Sequence, residues 1–152
     1  MNVDTPAYNK RARIGNILVI IVLFVVFTIY YRNTHAEAVT YNFQDTCVVL
    51  TGASGSPDPV TIKFSDIVSI SQTSSPNLGG FVDGCNTKLC QFGIWENEAY
   101  GSYTLCAYPD VSEFIVIETT DGYIVCNYEN NDATDSLYEA ILDYLKALGY
   151  QI

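Results

Sequence analysis

The feature that most constrains this chain is an uninterrupted apolar segment near its N-terminus. No charged residue occurs between Arg13 and Arg32, which leaves eighteen uncharged positions rich in Ile, Val, Leu and Phe. At about 1.5 Å per helical residue such a segment reaches about 27 Å, close to the roughly 30 Å hydrocarbon core of a bilayer. The sequence therefore predicts a single transmembrane helix over residues 14–31, embedded in a lipid bilayer, in preference to a helix buried in a globular core.

Basic residues on the two sides of this segment predict its orientation. Three of them precede it, whereas only Arg32 closely follows it. Because the cytoplasmic flanks of membrane helices carry the excess of Lys and Arg, we expect a cytoplasmic segment at 1–13, a juxtamembrane linker at 32–38 and an extracytoplasmic domain at 39–152. The protein is then a single-pass protein of the cell membrane.

Two other N-terminal arrangements stay open. The sequence Ala36-Glu37-Ala38 resembles a signal-peptidase site, but secretory apolar regions are usually only about 7 to 15 residues long. A basic leader ending at Gly15 resembles that of type IV pilins, whose helices carry a Glu where this chain has Ile20. An uncleaved signal anchor is therefore the preferred prediction.

Acidic residues dominate the charge of the chain. It contains 17 Asp and Glu against 7 Lys and Arg, a formal charge of −10, and residues 33–152 carry three lysines against sixteen carboxylates. Affinity for nucleic acids and anionic lipid head groups comes mostly from Lys and Arg. The composition therefore speaks against DNA or RNA as a partner and predicts a self-repelling, soluble outer domain.

The segment after the apolar run is predicted to be rich in β-structure. Short runs alternate apolar with polar residues and are enriched in β-branched and aromatic types, as half-buried strands are. Polar segments at 52–59 and 71–84 are predicted loops, and Thr120-Asp121-Gly122 is a predicted hairpin turn. The pattern predicts at least seven strands: Val39–Phe43 continuing into Cys47–Leu50, Val60–Phe64, Ile67–Ser71, Leu89–Trp95, Tyr100–Ala107, Phe114–Thr119 and Tyr123–Tyr128.

The last element changes to a helical period. Asp132 is the predicted N-cap, Asp135 adds negative charge to the first turn, and Gly149 follows Lys146 as the predicted C′ residue. About seven antiparallel strands with one terminal helix predict a small barrel or curved sheet that the helix covers. The apolar stripe of this helix comprises Leu137, Ile141, Tyr144, Leu145 and Leu148.

Four stretches of the domain resemble the bacterial PH-like (pleckstrin homology-like) domains of small membrane-anchored proteins. They are Phe64–Ile70 (FSDIVSI), Gly101–Tyr103 (GSY), Phe114–Tyr123 (FIVIETTDGY) and Thr134–Tyr138 (TDSLY). The resemblance implies two nearly orthogonal antiparallel sheets that form a seven-stranded barrel capped by the C-terminal helix. It implies a fold and no reaction. The polar stretch Thr73–Cys90 departs from it, since it is longer than a tight hairpin needs.

Phosphoinositide binding is not predicted. Eukaryotic PH domains bind phosphoinositides through Lys and Arg near an early loop, since several cations are needed to hold several phosphates. The corresponding stretch Thr51–Pro59 has neither residue type and includes Asp58. Lys63 and Lys88 are left as single anion contacts or solvated surface residues.

No set of residues predicts catalysis, a metal site or a cofactor. His35 is the only histidine and falls in the predicted linker, where it cannot easily be held in a cleft as a catalytic base requires. We therefore predict that the protein is not an enzyme. The alternative is an envelope hydrolase with paired carboxylates, for example Glu96 with Glu98 or Asp121 with Glu129.

Five cysteines fall in the predicted outer domain, where disulfides persist. Cys85 and Cys90 are separated by four residues and are the predicted local disulfide. Cys47, Cys106 and Cys126 fall inside strand patterns as small core residues, although two of them could also bridge adjacent strands. The odd count leaves at least one thiol unpaired within the chain.

Tyrosines supply the predicted binding surface. Exposed tyrosines combine apolar area with a hydroxyl and suit protein contacts, although they could equally be core and edge residues. With an exposed sheet edge they predict a non-enzymatic interaction module that docks to another envelope or membrane protein. A small-ligand sensor with a pocket at the capped end is a further alternative. The predicted binding residues are Tyr100, Tyr103, Tyr108, Tyr123 and Tyr128.

Overall fold

The computed structural model of this protein describes residues 17, 19–30, 39–52 and 58–150. The chain divides into two compact units, Met1–Ala36 and Glu37–Ile152.

In the first unit the described residues are helical. Residues 17 and 19–30 are in a helix, and all of their side chains are exposed. No helix among the described residues is both long and apolar enough to cross a membrane. Both ends of the predicted helix, with the predicted segments 1–13 and 32–38, lie outside the described residues.

The second unit is mainly β with a helix at its C-terminal end, and this part of the prediction is confirmed. Its strands are β1 (Thr40–Phe43), β2 (Cys47–Thr51), β3 (Val60–Lys63), β4 (Ile67–Ser74), β5 (Gly80–Asn86), β6 (Gln91–Asn97), β7 (Gly101–Ala107), β8 (Glu113–Thr119) and β9 (Gly122–Cys126); a 3-10 turn spans Phe64–Asp66 and helix α1 spans Asn131–Ala147.

The described strands form two open sheets, which corrects the predicted barrel of about seven antiparallel strands. One sheet has the order β1-β2-β3, and the other has the order β4-β8-β9-β7-β6-β5. Neighbouring strands are antiparallel except β7 and β9, which are parallel. Sequence periodicity indicates which face of a strand is buried but not which strand lies beside it, so it could not predict the parallel pairing of β7 with β9.

Several strand boundaries also differ from the prediction, and two of these differences change the number of strands. The run that begins at Val39 is broken by a turn in which the Gln44 N–H donates to the Cys47 carbonyl at 2.8 Å, so it forms two strands. Strand β5 lies largely within residues 71–84, which were predicted to form a loop. The prediction missed this strand because almost all of its residues are exposed, and apolar and polar residues alternate only when one face of a strand is buried. The predicted turn at Thr120-Asp121-Gly122 is confirmed, since Thr119 pairs with Gly122.

The six-stranded sheet is curled. Laid flat, it would span about 24 Å between its edge strands β4 and β5, whereas the five residues that join these strands reach at most about 21 Å. Leu78 in this connection packs on the main cluster of one sheet face, and its carbonyl accepts a 2.7 Å hydrogen bond from the Tyr103 hydroxyl. The cluster comprises Trp95, Tyr103, Leu105, Ala107, Phe114, Val116 and Val125.

Helix α1 begins and ends largely as its sequence requires. Its N-cap is Asn130, not the predicted Asp132, because the Asn130 side chain accepts a hydrogen bond from the Ala133 N–H at 2.9 Å. Gly149 has a φ of +84° just past the end, which confirms it as the C′ residue. The predicted stripe is confirmed in part, since Leu137, Ile141 and Leu145 are buried while Tyr144 and Leu148 are exposed.

Candidate docking surface

The five predicted binding tyrosines lie at opposite ends of the parallel pair β7 and β9. Tyr100, Tyr103 and Tyr123 lie near the starts of these strands, and Tyr108 and Tyr128 follow their ends. The five residues therefore do not form one continuous face.

The first group belongs largely to the core. Tyr103 is 3% exposed, and Tyr100 and Tyr123 pack against the main cluster. The ring centroid of Tyr100 lies 5.5 Å from that of Tyr103 and 5.1 Å from that of Tyr123. Burial, followed by the neighbouring Tyr100, raises the pKa of Tyr103 to about 12. Tyr103 is therefore unsuited to direct docking.

The second group is an aromatic cluster at the other end. The ring of Tyr128 meets Tyr41 at 5.2 Å and Tyr108 at 6.1 Å, both edge to face. Burial is the main reason that the pKa of Tyr108 rises to about 12 and that of Tyr41 rises well above its usual value. Much of the surface of these three rings is covered by contacts within the domain, so Tyr108 and Tyr128 are poor candidates for the docking surface.

The predicted Cys85–Cys90 disulfide stays a prediction, and both cysteines lie in or beside the β5–β6 hairpin. Strand pairing sets Cys85 opposite Phe92, and the Thr87 N–H donates to the carbonyl of Cys90. The two cysteines are thus diagonal neighbours in a hairpin, for which the Cα separation is about 7–8 Å. Disulfides usually join Cα atoms about 4.4–6.8 Å apart, so a bridge here would require the hairpin to shift.

The carboxylate pairs of the hydrolase alternative are spread over the surface. Glu96 and Glu98 are both exposed. Asp121 lies in the turn before β9 and Glu129 follows the other end of that strand, so they do not face each other. His35 lies outside the described residues, and the part of the chain that the structure describes contains no group of three His, Cys, Asp or Glu side chains arranged to hold a metal.

One open depression bears on the ligand-sensor alternative. It lies at the β5–β6 turn and is lined by Asn86, Thr87, Lys88, Pro109 and Asp110. The depression is open to solvent and most of its lining residues are of polar types, so it differs from the enclosed, mostly apolar clefts that bury small ligands.

The edge strand β5 is the most conspicuous exposed surface of the six-stranded sheet. It pairs with β6 on one side, and six of its seven residues are exposed, with the side chains of Phe81 and Val82 at 43% and 57%. The register shifts between Phe81 and Asp83, so Val82 has no opposing residue on β6. Phe81 also packs edge to face on Trp95 at 5.7 Å. Two adjacent apolar side chains therefore lie on a strand at the edge of the sheet.

Two buried polar atoms lie on β6 directly behind this edge. The Trp95 Nε1 donor and the Gln91 Oε1 acceptor have no hydrogen-bond partner among the described residues. They lie on the same face of β6, since they are four residues apart and strand side chains alternate. Buried polar groups are normally hydrogen-bonded, so these two atoms are exceptions, and both are covered inside the domain.

The charge along the edge is negative. Asp83 is exposed and lies opposite Ile94, and Glu96, two residues further along β6, is on that same face. The carboxylates of Asp83 and Glu96 thus flank the exposed side chain of Ile94. Such a surface fits a segment that carries both apolar and cationic side chains.

Phe81 and Val82 were missed by sequence analysis because they stand in a polar, glycine-containing stretch. The usable signal was two adjacent apolar residues between Gly79-Gly80 and Gly84. At Gly79, φ is +75° and a Cβ would collide with the Glu96 carbonyl, so this glycine lets the chain enter β5 closely against β6.

Comparisons with protein-family models, with curated proteins and with solved structures find no match to this chain.

Proposed function

We propose that this protein is a non-enzymatic, membrane-anchored interaction module whose β5 edge binds an extended segment of another envelope or membrane protein. The observation that carries the proposal is the exposed β5 edge, with Phe81 and Val82 beside open backbone groups. An extended segment can add to such an edge through main-chain hydrogen bonds while its side chains give specificity.

The two edges of the six-stranded sheet differ in a way that favours β5. On β4, exposed serine side chains are already hydrogen-bonded to the neighbouring strand β8: Ser69 donates to Glu118 at 2.8 Å and Ser74 donates to Glu113 at 2.7 Å. Natural sheets protect their edges with lysine, proline or short strands. Both edge strands lack lysine and proline, but β5 exposes two large apolar side chains, Phe81 and Val82, whereas β4 exposes one, Val68, so β5 is the better edge for a partner strand.

Charge determines the kind of partner segment. Residues 33–152 carry three lysines and sixteen carboxylates, and Asp83 and Glu96 lie at the edge itself. A second copy of this chain would bring like charge against like charge, which is unfavourable. The partner we propose is therefore an extended segment that bears Lys or Arg beside apolar residues.

The N-terminal helix is proposed as the anchor, with the PH-like domain outside the membrane. Its described apolar side chains are 49–70% exposed, an arrangement that is unfavourable in water and favourable in hydrocarbon. Attachment to the membrane would raise the concentration of the domain near other anchored chains. The single-pass topology with a cytoplasmic N-terminus and the PH-like identity rest on the sequence patterns described above.

Site-specific photo-crosslinking in intact cells of the native host tests this function. Val82 in the full-length chain is replaced by benzoylphenylalanine, and Val68 serves as the matched control. Val68 is 56% exposed on the other edge strand, and there too the register shifts and leaves the residue without an opposing partner. The expected result is a light-dependent adduct from position 82, absent at position 68, whose partner peptide comes from an envelope or membrane protein.

A second substitution tests the role of charge. In the Val82 probe chain, Asp83→Lys should lower the adduct yield at least about threefold, because each close charge pair at an interface contributes on the order of 1 kcal/mol or more. Asp121→Lys, on an exposed turn, makes the same charge change elsewhere and should leave the yield unaltered. Equal yields from positions 82 and 68, or an adduct with a second copy or a cytosolic protein, would overturn the proposal.

A further inference from the structure

Two buried thiols lie side by side in the middle of the six-stranded sheet. The parallel register of β7 and β9 sets Cys106 directly beside Cys126. Both side chains are fully buried, and both thiols are free in the structure. Residues paired directly across two strands project to the same face of the sheet, so the two Sγ atoms share one environment.

The spacing of adjacent strands matches the geometry of a disulfide. Neighbouring strands lie about 4.7–4.9 Å apart, and disulfides join Cα atoms that are about 4.4–6.8 Å apart. A bond between Cys106 and Cys126 would therefore need only rotation of the two side chains. The strand pairing itself would not have to change.

The other three cysteines are placed less favourably for bonding to either of these thiols. Cys106 lies opposite Phe92 on β6, so Cys90, two residues earlier, is a diagonal neighbour. Cys85 is opposite Phe92 on the far side of β6, two strands from Cys106. Cys47 belongs to the three-stranded sheet. Strand register thus selects one pair among the five cysteines.

We propose that Cys106 and Cys126 form a cross-strand disulfide that locks the parallel β7–β9 pairing when the domain folds in an oxidising compartment. The oxidant is a small-molecule or protein disulfide. The two thiols lose two protons and two electrons, one S–S bond forms between Cys106 and Cys126, and the S–S bond of the oxidant breaks to give two thiols that take up both protons.

Burial determines when this reaction takes place. Exchange proceeds through a thiolate that attacks a disulfide, and burial raises the pKa of Cys126 to about 12 and that of Cys106 well above its usual value. No oxidant reaches the pair in the folded sheet. The bond therefore forms while the strands assemble, and once formed it is shielded from reductants until the domain unfolds.

Peptide mapping of the full-length protein tests the pairing. No Lys or Arg occurs between Lys88 and Lys146, so trypsin leaves Cys90, Cys106 and Cys126 in one peptide, whereas cleavage after Glu separates these three cysteines. The reduced, denatured chain is refolded in detergent with oxidised glutathione, cooperative melting is verified, and remaining thiols are alkylated. Cleavage after Glu then places Cys106 in peptide 99–113, Cys126 in peptide 119–129 and the other three cysteines in peptide 38–96.

The expected product is peptide 99–113 linked to peptide 119–129. Reduction should release both peptides and lower the thermal midpoint by roughly 10 °C, because the bond closes a loop of about 20 residues. Without denaturant, the reductant should leave the bond intact. A link from peptide 99–113 or 119–129 to peptide 38–96, or alkylation of both Cys106 and Cys126, would overturn the proposal.

Single substitutions separate the disulfide from simple core packing. In Cys126→Ala the midpoint should no longer respond to reduction, because its partner thiol cannot form the bond. In Cys47→Ala, which also removes a buried thiol, the reduction-dependent shift should persist. A shift that survives in Cys126→Ala would assign it to another pair and reject this one.

Discussion

At the scale of single residues, Asn127 shows how one polar side chain fixes a segment that has no regular structure. It is fully buried. Its Oδ1 accepts a hydrogen bond from the Tyr108 N–H at 2.7 Å, and its Nδ2 donates to the Tyr108 carbonyl at 3.1 Å. Its own carbonyl accepts from the Tyr41 hydroxyl. Sequence analysis assigned Asn127 to a strand, because residue type alone does not reveal which distant backbone groups a side chain will satisfy.

The buried tyrosines make stability depend on alkaline pH. The pKa of Tyr103 and that of Tyr108 both rise from 10.0 to about 12 on folding, so the folded state holds these phenols in the neutral form. A raised folded-state pKa contributes stability that is complete below the unfolded value and is lost above it. We expect the contribution of these two phenols to the free energy of unfolding to be constant below pH 10 and to fall as the pH rises from 10 through about 12.

Denaturant titrations at a series of pH values, with tyrosinate absorbance recorded in parallel, measure this fall. Tyr103→Phe removes one late-titrating phenol along with its hydrogen bond to Leu78. The variant should be less stable at neutral pH but should lose less stability between pH 10 and 12. An alkaline slope unchanged by Tyr103→Phe would contradict the assigned cause.

At the scale of elements, the sequence predicted best those segments that bury one face. Strand β8 and the buried residues of α1 were found because apolar residues recur at the period of the element. Strand β5 was missed because it lies at an edge with nearly all residues exposed, and the candidate docking surface was missed with it. The pairing of β7 with β9 depends on contacts distant in sequence, so no local pattern could reveal it.

Helix α1 is expected to be essential for the stability of the β-rich unit Glu37–Ile152. Ile141 is 1% exposed, and the helix also contacts β8. Replacing a buried Ile by Ala typically costs about 2–5 kcal/mol through lost burial and an unfilled cavity. We expect Ile141→Ala to lower the free energy of unfolding by that amount in chemical denaturation, whereas Glu139→Ala, on the exposed side of the helix, should change it by less than about 0.5 kcal/mol. Equal effects would show that the helix does not cover the core.

The stacked rings of Phe43 and Tyr144 extend the contacts of α1 to the smaller sheet. Their centroids lie 5.1 Å apart with an angle of 27° between planes, and Phe64 stacks on the same tyrosine at 5.7 Å. Tyr144 is 40% exposed, so its ring covers the rings of Phe43 and Phe64 from the solvent side. This explains why a residue on the predicted apolar stripe remains partly exposed.

At the scale of the whole molecule, the excess of negative charge opposes folding and would assist association with the basic partner that we propose. Three lysines accompany sixteen carboxylates in residues 33–152. Among the described residues a single ion pair is present, Lys146 with Asp143 at 3.6 Å, and both side chains are largely exposed. Exposed pairs contribute little, so most of the like-charge repulsion in the folded state is uncompensated.

Added salt should therefore change folding and docking in opposite directions. Screening shortens the range of charge interactions from about 30 Å at 0.01 M salt to about 10 Å at 0.1 M. The thermal midpoint of a fragment that begins at Val39 should rise over this range and then level off, because repulsion within the compact acidic domain weakens. Binding of a Lys- or Arg-bearing segment at β5 should weaken over the same range, because the attraction between unlike charges is screened as well.

Calorimetry of the fragment and the photo-crosslinking yield from position 82 in permeabilised cells measure the two effects separately. A midpoint that rises linearly to molar salt would indicate preferential exclusion of the salt, whereas one that does not rise at all would contradict the repulsion argument. A crosslinking yield insensitive to salt would leave the apolar residues Phe81 and Val82 as the determinants of docking and would reject the basic partner.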